Sequence, residues 1–202
     1  MTFKSRFKKA LVAELGDKVV FQKQWSLRRR GKWRGANGLP DALMLHHTAG
    51  AATESTDPKA AGNQHGANDG IIRFIQSHYP VPASNFTLDR DGCVYVHSIW
   101  PVWHAGKGSF KNVKPWNLFS CPDNMGNDYF LGVEIMSKGR KKDFTRAQKQ
   151  SLKALQEACG EACRWPVAKR RATIRHPRHK DWAPNRKPDI IYEQSEVNDW
   201  MK

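Results

Sequence analysis

The chain has 202 residues, enough for one domain with a substantial core, and shows no composition shift that would mark a second domain. Thirty-four Lys and Arg against nineteen Asp and Glu leave a net charge of +15, so a polyanionic partner is expected: nucleic acid, an anionic membrane surface, or a cell wall carrying acidic polymers and peptide carboxylates. No apolar run is long enough to span a membrane as a helix, and the mean hydropathy of −0.71 is on the polar side.

Residues 1–38 read as a basic extension in front of a main domain of residues 39–202. Phe3, Phe7, Ala10 and Leu11 fall on one side of a helix starting near Thr2, with Lys4, Arg6, Lys8 and Lys9 around the rest. A basic amphipathic helix docked on the domain is the first reading and membrane contact the second. The early charges are followed by no apolar run of about 7–15 residues, so no signal peptide is expected and synthesis would be cytoplasmic. Residues 28–34 set five cations beside Trp33, a pattern for a solvated basic turn or a stacking platform.

Residues 42–46 form a short apolar strand that ends in His46 and His47. Adjacent strand residues point to opposite faces, so only one of these imidazoles can reach a given ion. Residues 50–70 read as a polar loop, and a helix capped near Asn68 is predicted to about residue 78. Two alternating runs around Asp91-Gly92, residues 85–97, make a hairpin expected as a two-stranded antiparallel edge of the sheet. Trp103-His104-Ala105-Gly106 follows, then a breaker-rich segment to residue 127 that reads as loop over a cleft. Residues 129–136 form a strand whose apolar run is interrupted by Glu134, a carboxylate that is costly there without a partner or a task. Thr145 and Gln148 make a capping box for the longest helix, to about residue 163, with Leu152, Leu155, Cys159 and Cys163 on its inner face. The four cysteines lack paired C-x-x-C spacing and are read as free buried thiols, not a metal site. Residues 170–175 read as a last strand, and residues 191–202 as a tail that is helical near Trp200.

The densest chemistry lies between His179 and Asp189. Two prolines keep this stretch from becoming a helix, and the two residues, too far apart to share a helix face, can be returned by one loop to a single zinc ion. A third ligand from the His46-His47 pair would leave the open position that a catalytic zinc needs. Lys187, inside the loop, would then stabilise negative charge developing on an attacked carbonyl.

The segments His46-His-Thr-Ala-Gly50, Trp103-His-Ala-Gly106, Leu131-Gly-Val-Glu-Ile135 and His179 to Asp189 with Arg186-Lys187 inside resemble, in this order, the zinc-dependent N-acetylmuramoyl-L-alanine amidases. That family shares its fold with the peptidoglycan-recognition proteins and includes many phage endolysins. The resemblance covers about residues 40–190. It implies a single α/β domain with a central mixed β-sheet flanked by helices. It implies zinc on His46, not His47, with His179, which has the ten-residue interval to Asp189 that His176 lacks. Glu134 becomes the general base and Lys187 the oxyanion stabiliser, while Trp103, His104, Asn85 and Arg186 are placed against substrate. Relatives often carry an aromatic residue or His where this chain has Ser84-Asn85, a Gly where it has Asn185, and a Pro where it has Ile190.

The function implied is hydrolysis of the amide between N-acetylmuramic acid and L-alanine of peptidoglycan, by a monomeric phage endolysin made in the host cytoplasm and released through a holin. The basic surface would meet anionic wall polymers or membrane, with no specific nucleic acid expected. The rivals are a non-catalytic peptidoglycan receptor on the same fold and, further off, a basic nucleic-acid-binding protein.

Overall fold

The computed structural model describes residues 1–48, 75, 81–137, 139, 142–166 and 176–201. The expected loop at 50–70, nearly all of the helix expected to residue 78, and the strand at 170–175 lie outside the described residues. One mixed sheet holds β1 (Val19–Phe21), β2 (Ala42–His47), β3 (Phe86–Leu88), β4 (Val94–Val96) and β5 (Phe130–Ile135), in the order β1-β4-β3-β5-β2. Only β3 and β4 pair antiparallel; the other neighbours are parallel. Among the described residues the helices are α1 (Phe3–Leu15), α2 (Gly126–Tyr129), α3 (Arg146–Ala162), α4 (His179–Trp182) and α5 (Gln194–Trp200).

Strand periodicity separates the two larger clusters of the interior, beside a small third one of Cys93, Tyr95 and Met136. Leu43 and Leu45 of β2 and Leu131, Val133 and Ile135 of β5 join the larger one, where α1 and α3 pack. Ala42, Met44 and Phe130 belong to the other, with Phe110, Trp116 and Phe119 from the 107–127 segment and Trp182 from α4. On this second face the described cover is an aromatic-packed loop and one helical turn, not a long helix. By the same parity His46 and Glu134 fall on the second face and His47 on the first. His46 and Glu134 are also register partners across β2 and β5.

The amino-terminal segment is woven into this frame. Thr2 caps α1 by accepting from the Ser5 amide, and Phe7, Ala10 and Leu11 are fully buried in the main core. Arg6 donates from Nε to the Ala162 carbonyl at 2.6 Å, at the far end of α3. The apolar side of α1 therefore faces α3 and is not presented outward to a membrane. Its chain continues into β1, which pairs with β4 and takes the sheet edge expected for the hairpin. The hairpin itself forms as expected, with Gly92 at φ +89°, but it is interior because β1 pairs along β4; β1, three residues long, gives too short a pattern to read from sequence. Trp33 is buried, its indole N–H donating to the Ile99 carbonyl at 3.0 Å, so it is neither a solvated turn residue nor a stacking platform.

α3 begins at the predicted capping box: Thr145 Oγ1 accepts from the Gln148 amide, and Gln148 Oε1 accepts from the Thr145 amide. All four cysteines are free, Cys93, Cys159 and Cys163 buried and Cys121 half-buried. Among the described residues no helix is long and apolar enough to cross a membrane.

Candidate metal centre

The site assembles where the chain leaving residue 176 runs beside β2. The Leu45 amide donates to the Pro177 carbonyl at 2.8 Å, and Leu45 forms a parallel bridge with Arg178. The next residue on each segment, His46 and His179, is thereby set side by side. α4 starts at His179, and the Lys180 amide donates to the Asp189 carbonyl, which closes the intervening loop and returns the carboxylate to its starting imidazole. Arg178 braces both ends of that loop: its guanidinium binds Asp181 through Nε and Nη2, at 2.9 and 2.7 Å, and donates from Nη1 to the Tyr192 carbonyl at 2.8 Å.

His46 Nδ1 stands 2.8 Å from His179 Nδ1 and 3.6 Å from Asp189 Oδ2, and His179 Nδ1 stands 3.0 Å from the same carboxylate oxygen. All three residues are buried. The far nitrogen of each ring is committed to the protein. His179 donates from Nε2 to the Ala105 carbonyl at 2.9 Å, and His46 Nε2 meets His104 Nδ1 at 3.1 Å. Burial, followed by the neighbouring His179, lowers the His46 pKa to about 4, so its ring is neutral near pH 7. Burial alone would raise the Asp189 carboxyl, but hydrogen bonds with His179 and His46 outweigh it and hold the group well below the usual carboxylate range. Two imidazole nitrogens and one carboxylate oxygen thus converge on one small buried volume. Such a donor set suits a divalent cation of the zinc type, with imidazoles oriented through their second nitrogens.

Glu134 Oε1 lies 4.0 Å from His46 Nδ1, and 21% of the Glu134 side-chain surface remains open. Burial first and the charge of Asp189 second push its carboxyl up to about 8, against an opposing pull from Lys187. The Lys187 charge also acts on His46 and His47, in the lowering direction. A carboxyl poised near neutrality, a cation and an ion site form a set able to move a proton while anionic charge develops on a substrate oxygen.

The other sequence candidates are distributed differently. Trp103, the chain neighbour of His104, is 45% exposed, with one face covered by the Arg30 guanidinium 4.0 Å from the ring centre. Asn85 requires correction: it is fully buried, donating from Nδ2 to the Ser98 and Trp100 carbonyls and accepting from the Gly132 amide, so its side chain has nothing left to offer substrate. Both nitrogens of His104 are engaged within the protein. Arg186 donates to the Ala105 and Lys107 carbonyls at 3.2 and 2.8 Å and holds that turn. His47 is directed away from the cluster toward Gly139, where an added Cβ would meet its ring at 2.5 Å. His176 binds Gln156 Oε1 at 2.6 Å and has Asn198 Oδ1 at 3.1 Å, a structural network behind the site. An open cavity of about 430 Å³, lined in part by Lys107, Ser109, Asp123, Trp182 and Arg186, flanks the loop on a side away from the converging ligands.

Sequence reasoning passed over Arg178 and Asn127. The first carried a faint signal, an acidic partner three residues on. Asn127, whose Oδ1 accepts from the His104 and Ala105 amides at 2.8 Å each, carried none.

A family model described as N-acetylmuramoyl-L-alanine amidase matches residues 36–190. No curated protein matches the sequence. Among solved structures, a selenomethionine derivative of AmpD is 21% identical with TM-score 0.53, over 91% of this chain and 99% of that one. Drosophila PGRP-LB is 13% identical with TM-score 0.54, over 85% and 87%, and Drosophila PGRP-SD is 15% identical with TM-score 0.54, over 90% and 94%. At these identities the likeness is one of fold.

Proposed function

Since the chain belongs to the N-acetylmuramoyl-L-alanine amidase family, we propose that it hydrolyses the amide joining the lactyl carboxyl of N-acetylmuramic acid to L-alanine in peptidoglycan. The observation that carries this reading is the convergence of His46 Nδ1, His179 Nδ1 and Asp189 Oδ2, with Glu134 at its edge. A zinc ion held by those three atoms would supply Lewis-acid polarisation of the scissile carbonyl and a water acidic enough to ionise near pH 7. Glu134 takes the proton from the attacking water and delivers it to the amide nitrogen as the C–N bond breaks, so the products are a lactyl carboxylate and a free L-alanine amine. The Lys187 ammonium balances charge on the carbonyl oxygen while the carbon is tetrahedral. Trp103, exposed and next in the chain to His104, would offer the ring face that Arg30 leaves open to the sugar or stem peptide.

The net charge of +15 suits a wall substrate rich in carboxylates and anionic polymers, and supports a phage endolysin acting on the wall after lysis begins. The test is digestion of purified peptidoglycan with and without a zinc chelator, the new ends being identified by mass spectrometry. New L-alanine amino termini that vanish with chelator and return with zinc are expected. New reducing sugars, other peptide cuts, or binding without cleavage would overturn the assignment, the last in favour of a non-catalytic receptor.

A further inference from the structure

We propose that His104 is a positioning residue that sets the tautomer of His46, a role that rests on the amidase reading above for its purpose but not for its geometry. The His104 ring donates from Nε2 to the Phe130 carbonyl at 2.8 Å. A carbonyl cannot donate, so the ring proton sits on Nε2 and Nδ1 keeps its lone pair. That lone pair faces His46 Nε2 at 3.1 Å and accepts its proton, and the two rings meet edge to face, 5.2 Å apart at 89°. His46 is therefore held with its proton on Nε2 and its Nδ1 lone pair directed at His179 and Asp189. The relay runs from a main-chain carbonyl of β5, through one imidazole, to His46, the residue before the last of β2.

The surroundings are shaped for this ring. Asn127 Oδ1 accepts from the amides of both His104 and Ala105 and pins the turn that carries them. Gly132 in β5 leaves the space: a Cβ there would come 2.6 Å from His104 Cγ and 2.7 Å from its Nδ1. The next residue of the same turn serves the second imidazole, because the Ala105 carbonyl accepts from His179 Nε2. Consecutive residues, one by side chain and one by main chain, thus orient both imidazoles of the cluster. A ring with both nitrogens so committed is not free to hydrogen-bond substrate, which moves His104 from the rim of the cleft to the support of the ion site. Outer partners of metal-binding imidazoles are generally worth about 10- to 100-fold in metal affinity.

Long-range proton–nitrogen NMR of the histidine rings, on full-length metal-free and zinc-loaded protein near pH 7.5, reads the tautomers directly. Zinc affinity is measured in parallel by competition with a chromophoric chelator for the wild type, His104→Phe and His104→Asn. The expected wild-type result is His46 protonated on Nε2 with or without metal. His104→Phe fills the space without an acceptor and should weaken zinc binding about 10- to 100-fold, while the amide oxygen of His104→Asn should restore most of the loss. A wild-type His46 protonated on Nδ1 in the metal-free protein would overturn the proposal, as would His104→Phe binding zinc as tightly as the wild type. Absence of zinc binding in the wild type together with the expected tautomer would instead strike the amidase reading and leave the relay standing.

Discussion

The family model begins at residue 36, yet α1 lies wholly before it and fills the main core. Phe7 is the residue to perturb. Its side chain is fully buried, stacked on Phe86 with ring centres 6.1 Å apart and edge-on to Phe3 at 5.3 Å. Phe7→Ala loses the transfer energy of the ring and leaves a cavity that α1, held against α3, cannot fully collapse; such changes cost about 3–5 kcal/mol. Each kcal/mol lowers the melting temperature of a domain this size by about 2–4 °C, so a drop of roughly 8–16 °C is expected for a loss near 4 kcal/mol. The assay is urea unfolding followed by fluorescence, with thermal melts alongside and the exposed Lys9→Ala as the control, expected within about 0.5 kcal/mol of wild type. A Phe7→Ala protein within 1 kcal/mol of wild type, or one in which α1 melts separately before the sheet, would refute the claim that this segment belongs to the same cooperative core.

Other expectations concern the site and its frame. Glu134→Gln should lower turnover on peptidoglycan by about 10²- to 10⁴-fold with zinc still bound, by metal analysis of the purified protein; unchanged turnover would remove Glu134 from the proton path. Arg178→Ala leaves the Asp181 carboxylate, only 11% exposed, with the Trp116 indole and the residue-178 amide as remaining partners and should cost about 2 kcal/mol in urea unfolding; a neutral result would show that the loop is braced by other contacts. Two histidines outside the ion site make stability sensitive to acid. Burial lowers His176 to about 4, and burial with the charge of Arg28 lowers His97 to about 3, against about 6.5 in the unfolded chain. The unfolded state therefore takes up protons first as pH falls, so these contributions are fully present above about pH 6.5 and are lost toward pH 4 and below. Each costs about 2 kcal/mol by pH 5, and His176→Gln should shrink the difference between unfolding at pH 7 and pH 5 by that amount. An unchanged difference would count against the buried neutral ring.

Where the chemistry is carried by residue type and short spacing, the sequence was readable. His179 and Asp189 share a loop closed by one local hydrogen bond; the alternation of β2 narrows the third ligand to one of His46 and His47, and the family resemblance picks His46, so their convergence could be anticipated. The capping box of α3 and the Asp91-Gly92 turn are likewise local devices. What escaped was set by tertiary pairing. Val19 to Phe21 become a strand only because β4 offers them an edge, and three residues hold no periodicity to detect. Asn85 resembles a cleft residue by position, yet it is consumed by the carbonyls of Ser98 and Trp100 and the amide of Gly132, all three on other strands or turns. His104 was recognisable as a special imidazole, but its partners, Phe130 and His46, are 26 and 58 residues away, and a motif does not say which way a ring faces.

The central claim is that water is added across one amide, with its oxygen going to the lactyl carbon. Hydrolysis of a muramoyl-peptide in water enriched in oxygen-18, followed by mass spectrometry of both products, tests this most directly. The account predicts one labelled oxygen in the lactyl carboxylate of the sugar and none in the peptide released with its free L-alanine amine. Label in a peptide carboxyl or at the reducing end of the sugar would contradict it.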